Sequence, residues 1–427
     1  MARKMKDSGV EWIGEIPEEW KVTKLKNIVK FQNGYAFDSK TLKNYGKFPV
    51  VRIGDIHNGK VDFDSANRID SNEGLEQYAI LEGDTVIAMS GATVGKLAYV
   101  DSVDGLSYIN QRVGIIRTES KFVYYYLSTD EFLKYIFLLA AGSAQPNIST
   151  ESIFNYKITV QNNNEKNEIV RFLDKKVCSV NRVIEETKNV VSEYKDYKRS
   201  LITKAVSRGL QEVKLKKTKN IHIPEIPDTW EMKKLKYVFH IKKAIVGETG
   251  YDVLSITQKG IKVKDITNNA GQLATDYSNY QRVNVGDFAM NHMDLLTGWV
   301  DVSEYNGVTS PDYRVFNFIS EKGYSRRYYL YLMQMCYMNR IFYGLGQGVS
   351  NLGRWRLQAD KFLNFTIPVP AIEEQEEIAQ YLDVKCGEID KIIAEKEALV
   401  SELESYKKSL IYEYVTGKKE VPAENVR

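Results

Sequence analysis

The sequence predicts an α+β protein: two similar mixed α/β domains separated by two long antiparallel helices that form a coiled coil, the whole arranged as a pseudo-twofold internal repeat. Three observations carry this expectation. The run EKNEIVRFLDKKVCSVNRVIEETKNVVSEYKDYKRSLITKAV returns as EEQEEIAQYLDVKCGEIDKIIAEKEALVSELESYKKSLIYEYV, with Ile169 on Ile378 and an offset of 209 that holds without a gap. A repeat of that length is a statement about architecture. The opening Ile16-Pro17-Glu18-Glu19-Trp20, followed by Lys24-Leu25-Lys26, also returns, as Ile226-Pro227-Asp228-Thr229-Trp230 and Lys234-Leu235-Lys236, at an offset of 210. Finally, the apolar residues inside the long repeats fall at heptad steps.

The chain divides accordingly into a first domain at 1–163, a central repeated helix at 164–211, a second domain at 212–372, a distal repeated helix at 373–418 and a tail at 419–427. In the first domain Trp12, Ile16, Pro17 and Trp20 suggest an irregular apolar plug. The runs FPVVRIGDI, AILEGDTVIAMSGATVGKLAYV and YINQRVGIIRT, broken by HNGK and other turn signals, read as strands. FVYYYLSTDEFLKYIFLLAA has helical spacing, and GSAQPNIST supplies a loop before the strand YKITV. The second domain repeats this plan with DVLSIT, GIKVKDIT, YRVFNFI, the helix YSRRYYLYLMQMCYMNRIF, the loop GLGQGVSNLG and the strand FTIPVP. Gly286-Asp287 answers Gly83-Asp84. The aromatic residues of the two shorter helices, from Tyr124 to Phe137 and from Tyr328 to Tyr343, are expected in the core, because their spacing suits a buried face.

Each long repeat runs about 42 residues, or about 60 Å, so something must cover its apolar face. The predicted helix-pairing residues are Leu173, Val177, Val180, Ile184, Val191 and Leu201 in the first copy, and Leu382, Cys386, Ile389, Ile393, Val400, Leu403 and Leu410 in the second. Tyr194 continues the first seam, while Ile392, Leu399 and Tyr406 broaden one flank of the second. The net charge is +3 overall, but +4 over 164–211 and −6 over 373–418, as suits two helices lying against each other.

Composition excludes several classes. MARKMKDSGVEW lacks the apolar run of a secretory signal, and no run approaches the roughly 18 apolar residues of a membrane span, so a cytoplasmic protein without membrane attachment is expected. Cys178, Cys336 and Cys386 form neither a disulfide framework nor a zinc pattern, and no metal site is expected; Cys178 and Cys386 read as small buried residues. No Pro-Pro occurs, which removes the Asp/Asn-Pro-Pro-aromatic corner of an amino-methyltransferase. GATVGKL, from Gly91 to Leu97, is one residue short of a phosphate loop and has Leu where magnesium needs a hydroxyl. Gly344-Leu345-Gly346-Gln347-Gly348 follows a helix, not a strand, so it is no dinucleotide site. Pro311-Asp312 lacks a following acidic-x-Lys. No catalytic residue is therefore assigned. Two similar domains held apart by a rod suit a periodic polymer such as duplex DNA, whose half-sites recur about every 34 Å.

The GVEWIGEIPEEW start, the GSAQPNIS loop running through ITV into NEKNEIVRFLD, the FTIPVPAIEEQEEIAQYLD junction and the LIYEYVTGK ending resemble the specificity subunit of type I restriction-modification systems, over essentially the whole chain. The resemblance implies two target-recognition domains, each reading one half of a bipartite, asymmetric site in double-stranded DNA, with the helices setting the spacer. It implies partners as well: two modification subunits that carry S-adenosylmethionine and methylate adenine, and restriction subunits that use ATP and Mg to translocate and cut. The chain itself is then not an enzyme and binds no cofactor. Base and phosphate reading needs Arg, Lys, Asn and Gln. The loops offer Arg52, His57, Asn58, Lys60, Ser90, Lys96, Gln111 and Arg112 in the first domain. In the second they offer Gln258, Lys259, Lys262, Asn291, His292, Arg314, Asn351, Arg354 and Arg356. Lys214, Lys216, Lys217 and Lys219 form either a phosphate-touching or a merely solvated linker. The alternative function is a coiled-coil adaptor whose two domains bind proteins without reading DNA.

Overall fold

The computed structural model describes residues 3–140, 146–265, 277–348 and 355–422. They form two compact units, one of Met1–Thr187 with Ala398–Arg427 and one of Lys188–Glu397, so the division falls part-way along each long helix. No described helix is long and apolar enough to cross a membrane.

In the first unit the main sheet is antiparallel, in the order Leu97–Tyr99, Thr85–Ala88, Val113–Arg117, Lys30–Asn33. Its central strands are continuous apolar runs because both faces are covered, and the period of two sorts their side chains between the faces. Ile87 and Ile116 face a core shared with Trp20, Phe132, Ile136 and Leu173. Val86, Ala88, Val113 and Ile115 face another, with Val51, Ile56, Ile80 and Ile109. The strand Lys157–Val160, paired with Lys21–Lys24, delivers the chain to the first long helix.

The second unit repeats this design. Phe239–Lys242, Arg314–Phe318, Phe288–Met290 and Val300–Val302 form its sheet in the corresponding order, and Thr366–Val369 pairs with Glu231–Lys234 before the second long helix. Phe288, Met290 and Phe316 face the helices, while Ala289 and Val315 face Leu254, Ile256 and Ile261. Asp84 and Asp287 do the same work in the two units. Asp84 accepts from the amide of Leu81 and from Arg117. Asp287 accepts from the amide of Asn284, from Lys242 and from Asn317.

The long helices span Asn163–Arg208 and Ile372–Val415. Asn162 caps the first by accepting the amide of Glu165 at 2.9 Å. Both stop at a glycine in the left-handed region, Gly209 at φ +76° and Gly417 at φ +73°, where a side chain would be strained. In the first unit Leu173, Ile184 and Leu410 are buried, and Val177, Val180, Val400 and Leu403 half-buried; Phe172 meets Tyr414 at 4.5 Å between ring centroids. In the second, Val191, Ile389 and Ile393 form one apolar cluster flanked by Tyr194 and Leu201, while Leu382 and Cys386 are buried in the domain core with Ile202. Lys195 pairs with Glu397 at 2.8 Å and Lys198 with Asp390 at 2.6 Å.

Three expectations need correction. Leu399 and Tyr406, read as a broadened seam, are 37% and 52% exposed, because they lie off the apolar face. Cys178 is exposed, whereas Cys386 is buried. Each shorter aromatic helix is broken in two. Phe122–Leu127 ends where Ser128 and Thr129 donate their hydroxyls back to the carbonyls of Tyr124 and Tyr126, and Asp130–Ala140 follows. Arg326–Met338 gives way to Ile341–Gly344 at Arg340, whose φ is +54°. Most of their aromatics are buried as expected, but Phe137 is 54% exposed. The lysine-rich linker leaves its lysines exposed and forms a hairpin, Leu215–Lys217 against Glu225–Pro227, with the Lys216 ammonium on the Asp228 carbonyl.

Candidate nucleic-acid interface

In each unit the sequence candidates fall into two groups, one where a strand of the main sheet runs out into a loop and one on a separate hairpin beside the outer strand. In the first, Thr85–Ala88 runs out into Met89, Ser90 and Gly91. The Met89 amide donates to the Arg112 carbonyl at 2.9 Å, which sets the exposed turn of Gln111 and Arg112 beside it. The Asn110 amide donates to the Val51 carbonyl at 2.9 Å, so Arg52 leaves the same edge. Its guanidinium lies 3.4 Å from Asp55 and stays accessible. Lys96 is exposed on the return of the loop. His57, Asn58 and Lys60 lie on a second projection, the hairpin Ile56–His57 and Lys60–Val61. Asn58 at φ +50° and Gly59 at φ +76° form the tight Asn-Gly turn that such a hairpin favours. The Gly59 carbonyl accepts the Tyr99 amide at 3.1 Å, fixing this hairpin against the outer strand.

Ser90 differs from its neighbours. Its main chain bridges to Asn147, the next amide, Gly91, donates to the Pro146 carbonyl, and its side chain is buried. It supports the loop and does not face solvent. One residue at this edge was missed. Tyr35 is 42% exposed, and its amide donates to the Ile109 carbonyl, which brings it beside Asn110. The available signal was Gly34, where a Cβ would collide with the Asn110 carbonyl.

The second unit separates its candidates more sharply. Gln258, Lys259 and Lys262 are exposed on the hairpin Leu254–Thr257 and Gly260–Val263, with the Gln258 amide donating to the Thr297 carbonyl at 3.2 Å. Arg356 is exposed and pairs through its main chain with Gln347. Asn291 is committed to its own turn: its side-chain oxygen accepts the amides of Met293 and Asp294, and its carbonyl accepts the Tyr337 hydroxyl.

His292 and Arg314 are each only 5% exposed. Arg314 donates to the Leu357 carbonyl at 2.8 Å and lies over the Phe362 ring, and burial lowers its pKa to about 10. Burial first, then Arg314 and Arg356, push His292 down to about 3, so its imidazole is neutral. Both hold the loop from beneath. Asn351 and Arg354 lie outside the described residues. Among the described residues no group of three His, Cys, Asp or Glu side chains is placed to hold a metal.

The pattern of the type I restriction modification DNA specificity domain matches this chain twice, over residues 17–193 and 227–402. The chain belongs to the type I restriction-modification specificity family. Each match covers one domain and runs on into the long helix that follows it. Among the family's curated members, the MjaVIII specificity subunit of Methanocaldococcus jannaschii is 28% identical over 183 residues, which is 40% of this chain and 42% of that one. The chain thus spans less than half the length of that relative. It is also 24% identical to the putative MjaX specificity subunit of the same organism, across 95% of each chain. The EcoKI specificity subunit of Escherichia coli is 25% identical over 47% of this chain and 45% of its own. A solved chain from a type I R-M system, 15% identical, covers 95% of this chain and 99% of its own at a TM-score of 0.65, which shows a shared fold.

Proposed function

We propose that this specificity chain is the non-catalytic DNA-reading subunit of a type I restriction-modification complex, with each domain reading one half of a bipartite asymmetric site in duplex DNA. The observation that carries the reading is the tandem match of the specificity domain, one copy to each domain, with exposed Arg, Lys and Gln side chains on the loops of both. Arg52, His57, Asn58, Lys60, Lys96, Gln111 and Arg112 serve the first half-site, and Gln258, Lys259, Lys262 and Arg356 the second. Ser90, Asn291, His292 and Arg314 hold those loops in place. Direct readout suits this set, because Arg and Lys address guanine and Asn and Gln address adenine.

In this proposal the long helices pair antiparallel as a coiled coil related by a pseudo-twofold axis, and their length sets the spacer. The order of contacts within each unit supports that pairing: Phe172 meets Tyr414 whereas Asn181 meets Lys407, and Val191 lies with Ile389 and Ile393. Two modification subunits supply S-adenosylmethionine and methylate adenine, and restriction subunits supply the ATP- and Mg-dependent cutting. Binding of a random-sequence duplex pool by the chain with its modification subunits tests the reading. Enrichment of a split motif is expected. A pool that stays random would refute DNA reading and leave a protein-binding adaptor.

A further inference from the structure

Beside the shared apolar cores, two polar attachments between a domain and the long helix that follows it recur in both units. Trp20 donates its indole N–H to Glu165 at 2.9 Å, and Trp230 donates to Glu374 at 2.8 Å. Nine residues further along each helix, Tyr125 donates its hydroxyl to Asp174 at 2.6 Å and Tyr331 donates to Asp383 at 2.8 Å. A cation four residues before each tyrosine reaches the same carboxylate: Lys121 lies 3.0 Å from Asp174, and Arg327 pairs with Asp383. Both cations also lie near the ring of the tyrosine they accompany, at 5.9 and 5.3 Å from the centroid.

The two clamps do not follow from a single aligned repeat. The cation and tyrosine recur at an offset of 206, the helix carboxylates at 209 and the tryptophans at 210, so the intervening chain has drifted while the endpoints still meet. Burial, and then the carboxylate acceptor, raise the pKa of both tyrosines, which keeps each hydroxyl a donor. The apolar core that each domain shares with its helix around Leu173 or Leu382 is non-directional and leaves the angle to polar contacts. Two polar attachments, separated by about 14 Å for nine residues at about 1.5 Å each, define a direction.

We propose that Asp174 and Asp383 are the positioning residues that fix the angle of each recognition domain on its helix, and thereby make the complex intolerant of a wrong spacer. The proposal rests on the bipartite DNA reading above. A single extra base pair shifts the far half-site by about 3.4 Å and turns it by about a tenth of a revolution, so discrimination needs domains that cannot swing to follow it. The tryptophan attachments lie inside the domain cores, with Trp20 and Trp230 essentially unexposed. The aspartates sit at the rim, their side chains 42% and 41% exposed, and the clamp can be removed without opening a core.

The test uses the full chain with its modification subunits and duplexes bearing the selected motif with its gap correct, one base pair shorter and one longer. The double variant Tyr125→Phe with Tyr331→Phe keeps both rings and removes both hydroxyls. Its affinity for the correct gap should change less than about threefold, while its preference over the wrong gaps falls about tenfold, the scale of a charge-assisted hydrogen bond lost at each domain. The half-site sequences should not change. Asp174→Asn with Asp383→Asn leaves an acceptor for each tyrosine but removes the negative charge that pairs with Lys121 and Arg327, and should lose about threefold in gap preference; if the phenylalanine variant melts at assay temperature, this one decides. Unchanged gap preference in a folded variant overturns the clamp while leaving the DNA reading intact. A wild-type complex that selects no split motif overturns both.

Discussion

Ser90 and His292 each lie just past a strand of the main sheet, and both are buried with one side-chain polar atom unpartnered among the described residues. In the proposed reading, their exposed neighbours are the side chains that address DNA. Replacing Gln111 and Arg112 together by alanine should weaken binding at the first half-site at least about tenfold and relax its sequence preference, as loss of a bidentate base contact does. The second half-site should keep its preference, and a binding selection repeated on the variant checks both.

His292 also makes a pH prediction. Folded, it stays neutral down to about 3, whereas unfolded it takes up a proton near its ordinary 6.5. Between those values the unfolded chain binds more protons, so stability falls as pH drops below about 6.5 and is unaffected above it. The loss should reach about 2 kcal/mol by pH 5. Thermal melting at pH 7 and pH 5 should show a smaller difference for His292→Gln than for the wild type.

At the scale of elements, the long helices divide their apolar residues between two tasks. Leu173 and Leu382 are wholly buried and belong to the domain cores, whereas Val191, Ile389 and Ile393 cover one another. Leu382→Ala should therefore cost about 2–5 kcal/mol of stability, and Tyr406→Ala, at an exposed site, no more than about 0.5 kcal/mol, as read from denaturant melts. Part of the charge asymmetry between the helices is taken up by Lys195 with Glu397 and Lys198 with Asp390. These pairs are exposed enough that each contributes at most about 1 kcal/mol. The spacer role makes its own prediction: seven residues added in register to both helices lengthen each by about 10 Å. The accepted gap should then grow by about three base pairs with the half-site sequences unchanged; an unchanged gap would refute the role.

For the whole molecule, two domains of one design with different loops should read independently. Exchanging residues 1–163 for those of another family member should replace one half-site and leave the other half and the gap unaltered, which methylome sequencing of a host carrying the hybrid would show. A change in both halves would mean that the domains read as one surface.

The sequence by itself determined the duplicated architecture, the two long helices and the family, because these are written in periodicity and in runs such as EIAQYLD that survive without side-chain geometry. The pairing of Lys121 and Tyr125 with Asp174, and of Arg327 and Tyr331 with Asp383, came from the tertiary structure, since the cation and carboxylate are more than fifty residues apart and drift differently between the repeats. Only the tertiary structure decided which polar loop residues are available. Asparagine, histidine and arginine look alike in a loop sequence whether they face water or anchor the turn from below. Asn291, His292 and Arg314 became anchors through burial and through hydrogen bonds to Tyr337, Leu357 and their own turn, partners that the fold brings from distant parts of the chain. Burial is a property of what packs above a residue, and the local sequence does not contain it.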